Sequence, residues 1–313
     1  MFINEQLSKE EYTARIKEIY PLTDEKIKEY EARAYKLSLK IPRKYSQISK
    51  CEGCSGDFLT NCRDCLECYD CYEDEHYKYV WNAPKNNKFC YDCTGINTGE
   101  LILECVASAV GSYNVGYGVL CWMNDFNLRY CYYCIGSKNL FGCAGIKRAE
   151  YAILNKKYSK EEYEKMVPRI IEHMKKTGEW GEFFPIKHSP YPYNDTIAQE
   201  YFPITSAEAL TKGYKWHEET PQELDKSADA KICAECNKQY KFIPQELSFY
   251  KTLGLPEPKF CYNCRYQHRF LRKNPKQLWE RDCAKCEAKI LTTYSPERPE
   301  IVYCDKCYTK MLY

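Results

Sequence analysis

Four CxxC pairs lie between Lys231 and Cys307: Cys233/Cys236, Cys261/Cys264, Cys283/Cys286 and Cys304/Cys307. Two thiolates three positions apart can grip one ion from a tight turn, and a second pair brought back by a hairpin or helix completes a tetrahedral four-sulfur site. Each consecutive couple of pairs therefore reads as one ribbon built round one metal. The 24 residues between Cys236 and Cys261 and the 17 between Cys286 and Cys304 suffice to return the chain, the second inside the usual ribbon range and the first somewhat beyond it. Four thiolates without histidine leave no open coordination position, so two structural zinc ions are expected and a catalytic zinc is not.

A resemblance rests on these residues. Lys231 to Phe242 (KICAECNKQYKF), Pro244 to Tyr250, Gly254-Leu-Pro and Phe260 to Arg265 (FCYNCR) resemble the probable zinc-ribbon domain of many uncharacterised bacterial proteins. Arg272 to Trp279, Asp282-Cys-Ala-Lys-Cys286 and Val302 to Tyr308 resemble the second ribbon of large Cys-rich proteins of candidate-phyla bacteria. The resemblance covers about a quarter of the chain strongly, and a middle third by style of repeat. It implies zinc binding and no particular reaction. The CaiB/BaiF-type CoA-transferase label carried by some of that family has no supporting motif here.

The remaining chain is bounded by composition. Its 313 residues carry 46 basic and 44 acidic side chains, a formal charge of +2, so no global nucleic-acid or membrane signature exists and any basic function must be local. The first eleven residues hold acid and amide where a signal peptide needs an apolar run, and no stretch approaches a membrane span. A cytoplasmic protein with reduced thiols is expected.

Phe2 to Tyr12 recurs 151 positions later as Ile153 to Tyr163, each copy a short apolar strand running into Ser-Lys-Glu-Glu. Ser8 with Glu11, and Ser159 with Glu162, have the spacing of capping boxes, so a helix is expected after each. A further charged helix follows Thr23 and ends near Pro42, and a short one is expected at Ser206, capped by that residue and stopped by Gly213. Between the repeats the texture changes. Cys51 and Cys54 precede the run Cys62-x-x-Cys65-x-x-Cys68-x-x-Cys71, and candidate strands follow at Phe89–Cys93, Leu101–Ala107, Tyr117–Trp122, Leu128–Ile135 and Tyr151–Leu154. Short strands with small or thiol residues recurring inward suggest a β-solenoid, although Cys90, Cys105, Cys121, Cys131 and Cys143 stand at irregular intervals of 15, 16, 10 and 12.

Thirteen of the 21 cysteines lie in this middle region. One reading makes Cys51, Cys54 and two of Cys62, Cys65, Cys68 and Cys71 ligands of a third metal or an iron–sulfur cluster. The preferred reading is a ladder of core thiols, since free Cys behaves as a small buried hydrophobe. Asp70, Glu73, Asp74 and Glu75 after the run read as a solvated turn.

No HExxH, GxSxG, GxxxxGK[ST] or GxGxxG occurs and the five His are scattered, so the chain is read as non-enzymatic with no small-molecule substrate. One segment carries a functional pattern: in a helix running to Asn274, Arg265, His268, Arg269, Arg272 and Lys273 share one face, with Lys276 just beyond. That face suits phosphates, making nucleic acid the leading partner, with a protein-interaction scaffold as the alternative and an enzyme of unknown type as the third reading. The expected class is α+β: N-terminal strand and helices (1–45), a β-solenoid-like Cys-rich middle with a closing helix (46–176), a linker (177–230) with a flexible hinge before the ribbons, and ribbons at 231–274 and 275–313.

Overall fold

The computed structural model of the chain describes residues 4–108, 110–218 and 229–312. Both capping boxes form. Ser8 and Glu11 exchange side-chain and backbone hydrogen bonds of 2.8 and 3.1 Å at the start of α1 (Lys9–Ile19). Ser159 and Glu162 do the same at 2.9 and 3.2 Å before α3 (Lys160–Thr177), while α2 (Asp24–Leu39) starts from Thr23. Each cap satisfies amides that the first helical turn leaves without partners. A strand before α3 is present at Glu150–Ile153; its counterpart at Phe2–Ile3 lies outside the described residues.

The middle region is a solenoid of parallel strands, and its rule is a period of three. From Leu59 every third residue points inward: Cys62, Cys65, Cys68, Cys71, Asp74, Tyr77, Val80 and Ala83 are all buried. The residue before each inward one, from Phe58 and Asn61 through Asn82, has a left-handed backbone. One left-handed residue followed by two extended ones turns the chain through a corner, so each triplet makes one wall and four walls make a coil. Parallel partners accordingly stand twelve residues apart, as in Cys90↔Ile102 and Leu128↔Leu140. A left-handed residue with a Cβ costs about 1–2 kcal/mol. Asn and Asp, whose short polar side chains tolerate it best, occupy many corners, among them Asn61, Asp64, Asp70, Asn82, Asn114 and Asn127. Gly56 has a further reason: a Cβ there would stand 1.8 Å from the Cys68 carbonyl oxygen of the next coil.

At three places the inward step is four residues instead of three: Ala83 to Asn87, Ser108 to Ser112 and Cys121 to Asp125. The extra residue always precedes the same wall, lengthening that coil to thirteen, as in Glu75↔Lys88 and Tyr113↔Phe126. The inward column it feeds is polar. Asn87 donates its backbone N–H and side-chain amide to Asp74 Oδ1 at 3.0 and 3.1 Å, and Gly99 N–H donates to Asn87 Oδ1 at 2.7 Å. Further along, Asp125 N–H donates to Ser112 Oγ, Ser137 N–H to Asp125 Oδ1, and Ala149 N–H to Ser137 Oγ. Side-chain oxygens thus accept from the amide one coil on, because buried amides require partners. Asp74 is therefore not part of a solvated turn: it is fully buried at the head of this column.

Strands occupy Lys88–Thr94, Glu100–Leu103, Tyr113–Gly116, Phe126–Arg129, Lys138–Phe141 and Glu150–Ile153. Phe89–Cys93 and Tyr151–Leu154 match what the sequence suggested. Tyr117–Trp122 does not, and Leu128–Ile135 overlaps only at its first two residues, because aromatic and β-branched runs continue round corners that break the strand.

α3 closes one end of the solenoid, and the connector after it runs back along the walls. Trp180 meets Tyr117 and Tyr130, Phe184 meets Tyr130, and Tyr201 and Phe202 pack on Trp81. These aromatics staple the connector to the solenoid. The short helix Ser206–Thr211 is capped by Thr205, not Ser206, with Glu208 completing the box. The hinge expected at 218–231 falls mostly on 219–228, outside the described residues. The second ribbon is no free appendage: Arg43–Lys44 pairs with Val302–Tyr303 in a parallel ladder, and Thr293 Oγ1 donates to the buried Asp57 of the first coils at 2.8 Å.

Candidate metal centres and the basic stripe

Each ribbon begins with a two-stranded hairpin whose turn holds the first cysteine pair. In the first, Lys231–Ile232 pairs with Gln239–Tyr240; in the second, Trp279–Asp282 pairs with Lys289–Thr292. The residue after each pair, Asn237 or Glu287, is left-handed and donates its N–H to the carbonyl of Cys233 or Cys283 at 3.1 and 2.9 Å. The knuckle closes on itself. The returning pair then starts a helix, Tyr262–Phe270 or Asp305–Leu312, and the N–H of Cys261 or Cys304 donates to Cys233 or Cys283 Sγ at 3.2 Å in both ribbons.

The four sulfurs of each set lie within 4.8 Å of one another. Cys233–Cys264, Cys236–Cys261 and Cys286–Cys304 are each 3.7 Å apart. A tetrahedron with metal–sulfur bonds of about 2.3 Å places its sulfurs ~3.8 Å apart, close to the spacing of these pairs, so each cage has the size to hold one ion. Desolvation raises the Cys233 thiol pKa, but N–H donors from Cys236, Cys261 and Glu235 outweigh it and bring the value down to about 6. The same opposition brings Cys283 to about 6. Within the same cages desolvation raises Cys264, and Cys307 goes up to about 12, chiefly through its hydrogen bond with Cys286, so one thiol of each set is the one biased toward thiolate. Among the described residues these two are the only groups of three or more metal-ligating side chains gathered so closely.

The remaining cysteines are arranged otherwise. None of the 21 forms a disulfide. Cys62, Cys65, Cys68 and Cys71 are the inward residues of four successive walls of one coil, and Cys51 and Cys54 sit half-buried below Cys62 and Cys65. A recurrent bond explains the preference for Cys: the thiol donates to the carbonyl two residues back, as Cys90 to Lys88 at 3.3 Å, Cys93 to Tyr91 at 3.0 Å and Cys105 to Leu103 at 3.2 Å. The carbonyls of Tyr91 and Leu103 also accept the N–H of Glu104 and Tyr117 one coil on, so the thiol supplies a second bond that Val or Ala could not. Burial pushes the Cys105 thiol up to about 12 and those of Cys90 and Cys93 above their ordinary value.

The helix after Cys264 ends at Phe270, so Arg272 and Lys273 lie past it and do not continue one helical face. Four of the six expected phosphate contacts already have acidic partners. Arg265 pairs with Glu246 at 2.9 Å, His268 with Glu235 at 2.8 Å and Arg272 with Glu31 at 3.2 Å. Lys276 is enclosed by Asp70 at 2.8 Å and the rings of Trp81 and Tyr201. Arg269 and Lys273 have no carboxylate within 4.0 Å among the described residues. Tyr266 donates to Glu200 and Phe270 packs on Tyr201, which anchors this helix to the connector.

One surface escaped sequence reasoning. On two adjoining solenoid walls Val106, Val110, Trp122, Met123, Tyr132 and Tyr133 are exposed, and the bridges Val106↔Val119, Val119↔Tyr132 and Trp122↔Ile135 place them in register on successive coils. A three-residue ruler laid along the sequence would have aligned them.

No helix of the described residues is long and apolar enough to cross a membrane. Compared with known proteins, the chain matches no family model and no curated protein.

Proposed function

We propose that the protein is a non-enzymatic interaction scaffold whose two ribbons each hold a structural zinc ion. Four thiolates in a closed tetrahedron favour zinc and leave no coordination site for a substrate. The observation that carries the scaffold reading is the apolar double wall of Val106, Val110, Trp122, Met123, Tyr132 and Tyr133. Monomeric proteins seldom leave such groups contiguous and in register unless another surface covers them, and Trp, Tyr and Met are the residues interfaces favour. The solenoid's flat walls hold them rigid, which lowers the entropy lost on docking. Acidic partners on four of the six stripe residues turn the balance from nucleic acid, the leading partner on sequence grounds, toward protein. Full-length protein carrying a photo-crosslinker at Met123 should capture a partner at high salt as well as low, and Tyr132→Lys in the same protein should abolish capture. Capture that fades with salt and survives Tyr132→Lys would refute the proposal.

A further inference from the structure

A cleft of about 950 Å³ lies where α2, the first solenoid coils and the second ribbon meet. Its volume is at the upper end of the range typical of small-molecule sites. Six cations line it, Lys28, Arg43, Lys44, Arg272, Lys273 and Arg298, against three carboxylates, Glu31, Asp57 and Glu300. That local excess is larger than the formal +2 of the whole chain.

Each carboxylate is committed. Glu31 is paired with Arg272, and Glu300 receives two hydrogen bonds from Arg298 at 2.6 and 3.1 Å. Asp57 accepts from Ser46, from the backbone of Gln47 and Phe58, and from Thr293. Lys28, Arg43 and Lys273 have no carboxylate within 4.0 Å among the described residues, and Lys273 Nζ lies 5.9 Å over the Phe270 ring. Arg43 is the informative one: the residue is partly buried, and Glu300, the carboxylate whose charge it feels, is already doubly bonded to Arg298. An anion between Arg43 and Lys273 would give both a direct partner, and a guanidinium fork matches phosphate oxygens in pairs. Phe58, 61 % exposed, and Tyr35, 55 % exposed, stand in the same lining and offer ring faces to a planar group.

We infer that this cleft binds a nucleotide, its phosphates held by Arg43 and Lys273 and its base against Phe58 or Tyr35. The same chemistry is offered by a free nucleotide and by a nucleotide within a single strand.

The test uses full-length, metal-loaded protein titrated by calorimetry with ADP, with a short single-stranded oligothymidylate and with inorganic phosphate. ADP or the oligonucleotide should bind, Arg43→Ala and Lys273→Ala should each weaken binding about tenfold or more, and Arg43→Lys should restore part of it. Phe58→Ala should weaken ADP more than phosphate, while Arg269→Ala, outside the lining, should change nothing. Metal content and circular dichroism of each variant establish that it is folded. Tighter binding of ADP assigns the site to a free nucleotide and tighter binding of the oligonucleotide to a strand; both support the inference. Inorganic phosphate binding as well as ADP, binding indifferent to Arg43→Ala and Lys273→Ala, or no binding of any probe would overturn it.

Discussion

The solenoid and the ribbons both write cysteine at intervals of three, and they do so for unrelated reasons. In the ribbons the interval is the reach of a knuckle turn: Cys233 and Cys236 aim two sulfurs at one point, where the returning pair brings two more within 4.8 Å. In the solenoid the interval is the length of a wall. Cys62, Cys65, Cys68 and Cys71 each occupy a different wall and point separately into the core. The comparison teaches that CxxC spacing alone does not identify a metal site. What separates the two is the next residue. A left-handed Asn237 or Glu287 closes a knuckle directly after the pair, whereas in the solenoid the left-handed residue comes just before every inward one.

Breaking a cage should have the largest effect. Structural metal binding of this kind is worth on the order of 10 kcal/mol or more, so Cys304→Ser should release one of two ions and unfold the second ribbon. Because that ribbon caps the first coils through the Arg43–Val302 ladder and the Thr293–Asp57 bond, hydrogen exchange should also quicken in residues 46–60. Cys261→Ser should release the other ion and leave exchange in those residues unchanged. Equal exchange in both variants would contradict the capping role.

A core substitution should cost less and release no metal. Leu128, fully buried between Val115 and Leu140 on neighbouring coils, should lose about 2–5 kcal/mol of stability as Leu128→Ala. Cys93→Ser should lose about 1–3 kcal/mol, since a hydroxyl replaces a thiol in an apolar stack. Denaturant unfolding measures both, and metal loss in Cys93→Ser would break the division between the two kinds of cysteine.

The buried polar column makes a subtler prediction. Desolvation raises Asp125 from 3.8 to about 7, the N–H of Ser137 opposing it, and its Oδ2 has no hydrogen-bond partner. Desolvation likewise raises Asp74 to about 6 against the hydrogen bonds of Asn87. Between 3.8 and 7 the folded chain binds more protons at Asp125 than the unfolded chain does. Its contribution is therefore complete below about pH 4 and is lost as pH rises through 7. Stability of the metal-loaded protein should decline as pH rises from 5 to 7 and level off above that, and Asp125→Asn should flatten the decline. An unchanged pH slope in the variant would show that Asp125 is already ionised.

Much of this was legible in the sequence. Ser8 and Ser159 announced their helices, the eight C-terminal cysteines announced their cages, and the recurring thiols suggested a solenoid. The intervals of 15, 16, 10 and 12 looked irregular only because they were compared with one another. From Cys90 to Cys105 is five triplets, from Cys105 to Cys121 five and one inserted residue, from Cys121 to Cys131 three and one, and from Cys131 to Cys143 four. Asp74 and Asp125 hid inside that period because a carboxylate at an inward position is judged by the partner it meets one coil away, twelve or thirteen residues distant. The basic stripe misled for a related reason. Glu246, Glu235, Glu31 and Asp70, which take up four of its charges, lie on elements that only the fold brings near.

The division of the cysteines is tested most directly by native mass spectrometry of the full-length protein, paired with elemental analysis of its metals. Two zinc ions per chain are expected, both released by a chelator, with no iron and no disulfide in the solenoid. A third tightly held metal, an iron–sulfur absorbance, or a metal-free chain with oxidised ribbons would contradict the assignment of eight cysteines to metal and thirteen to the core.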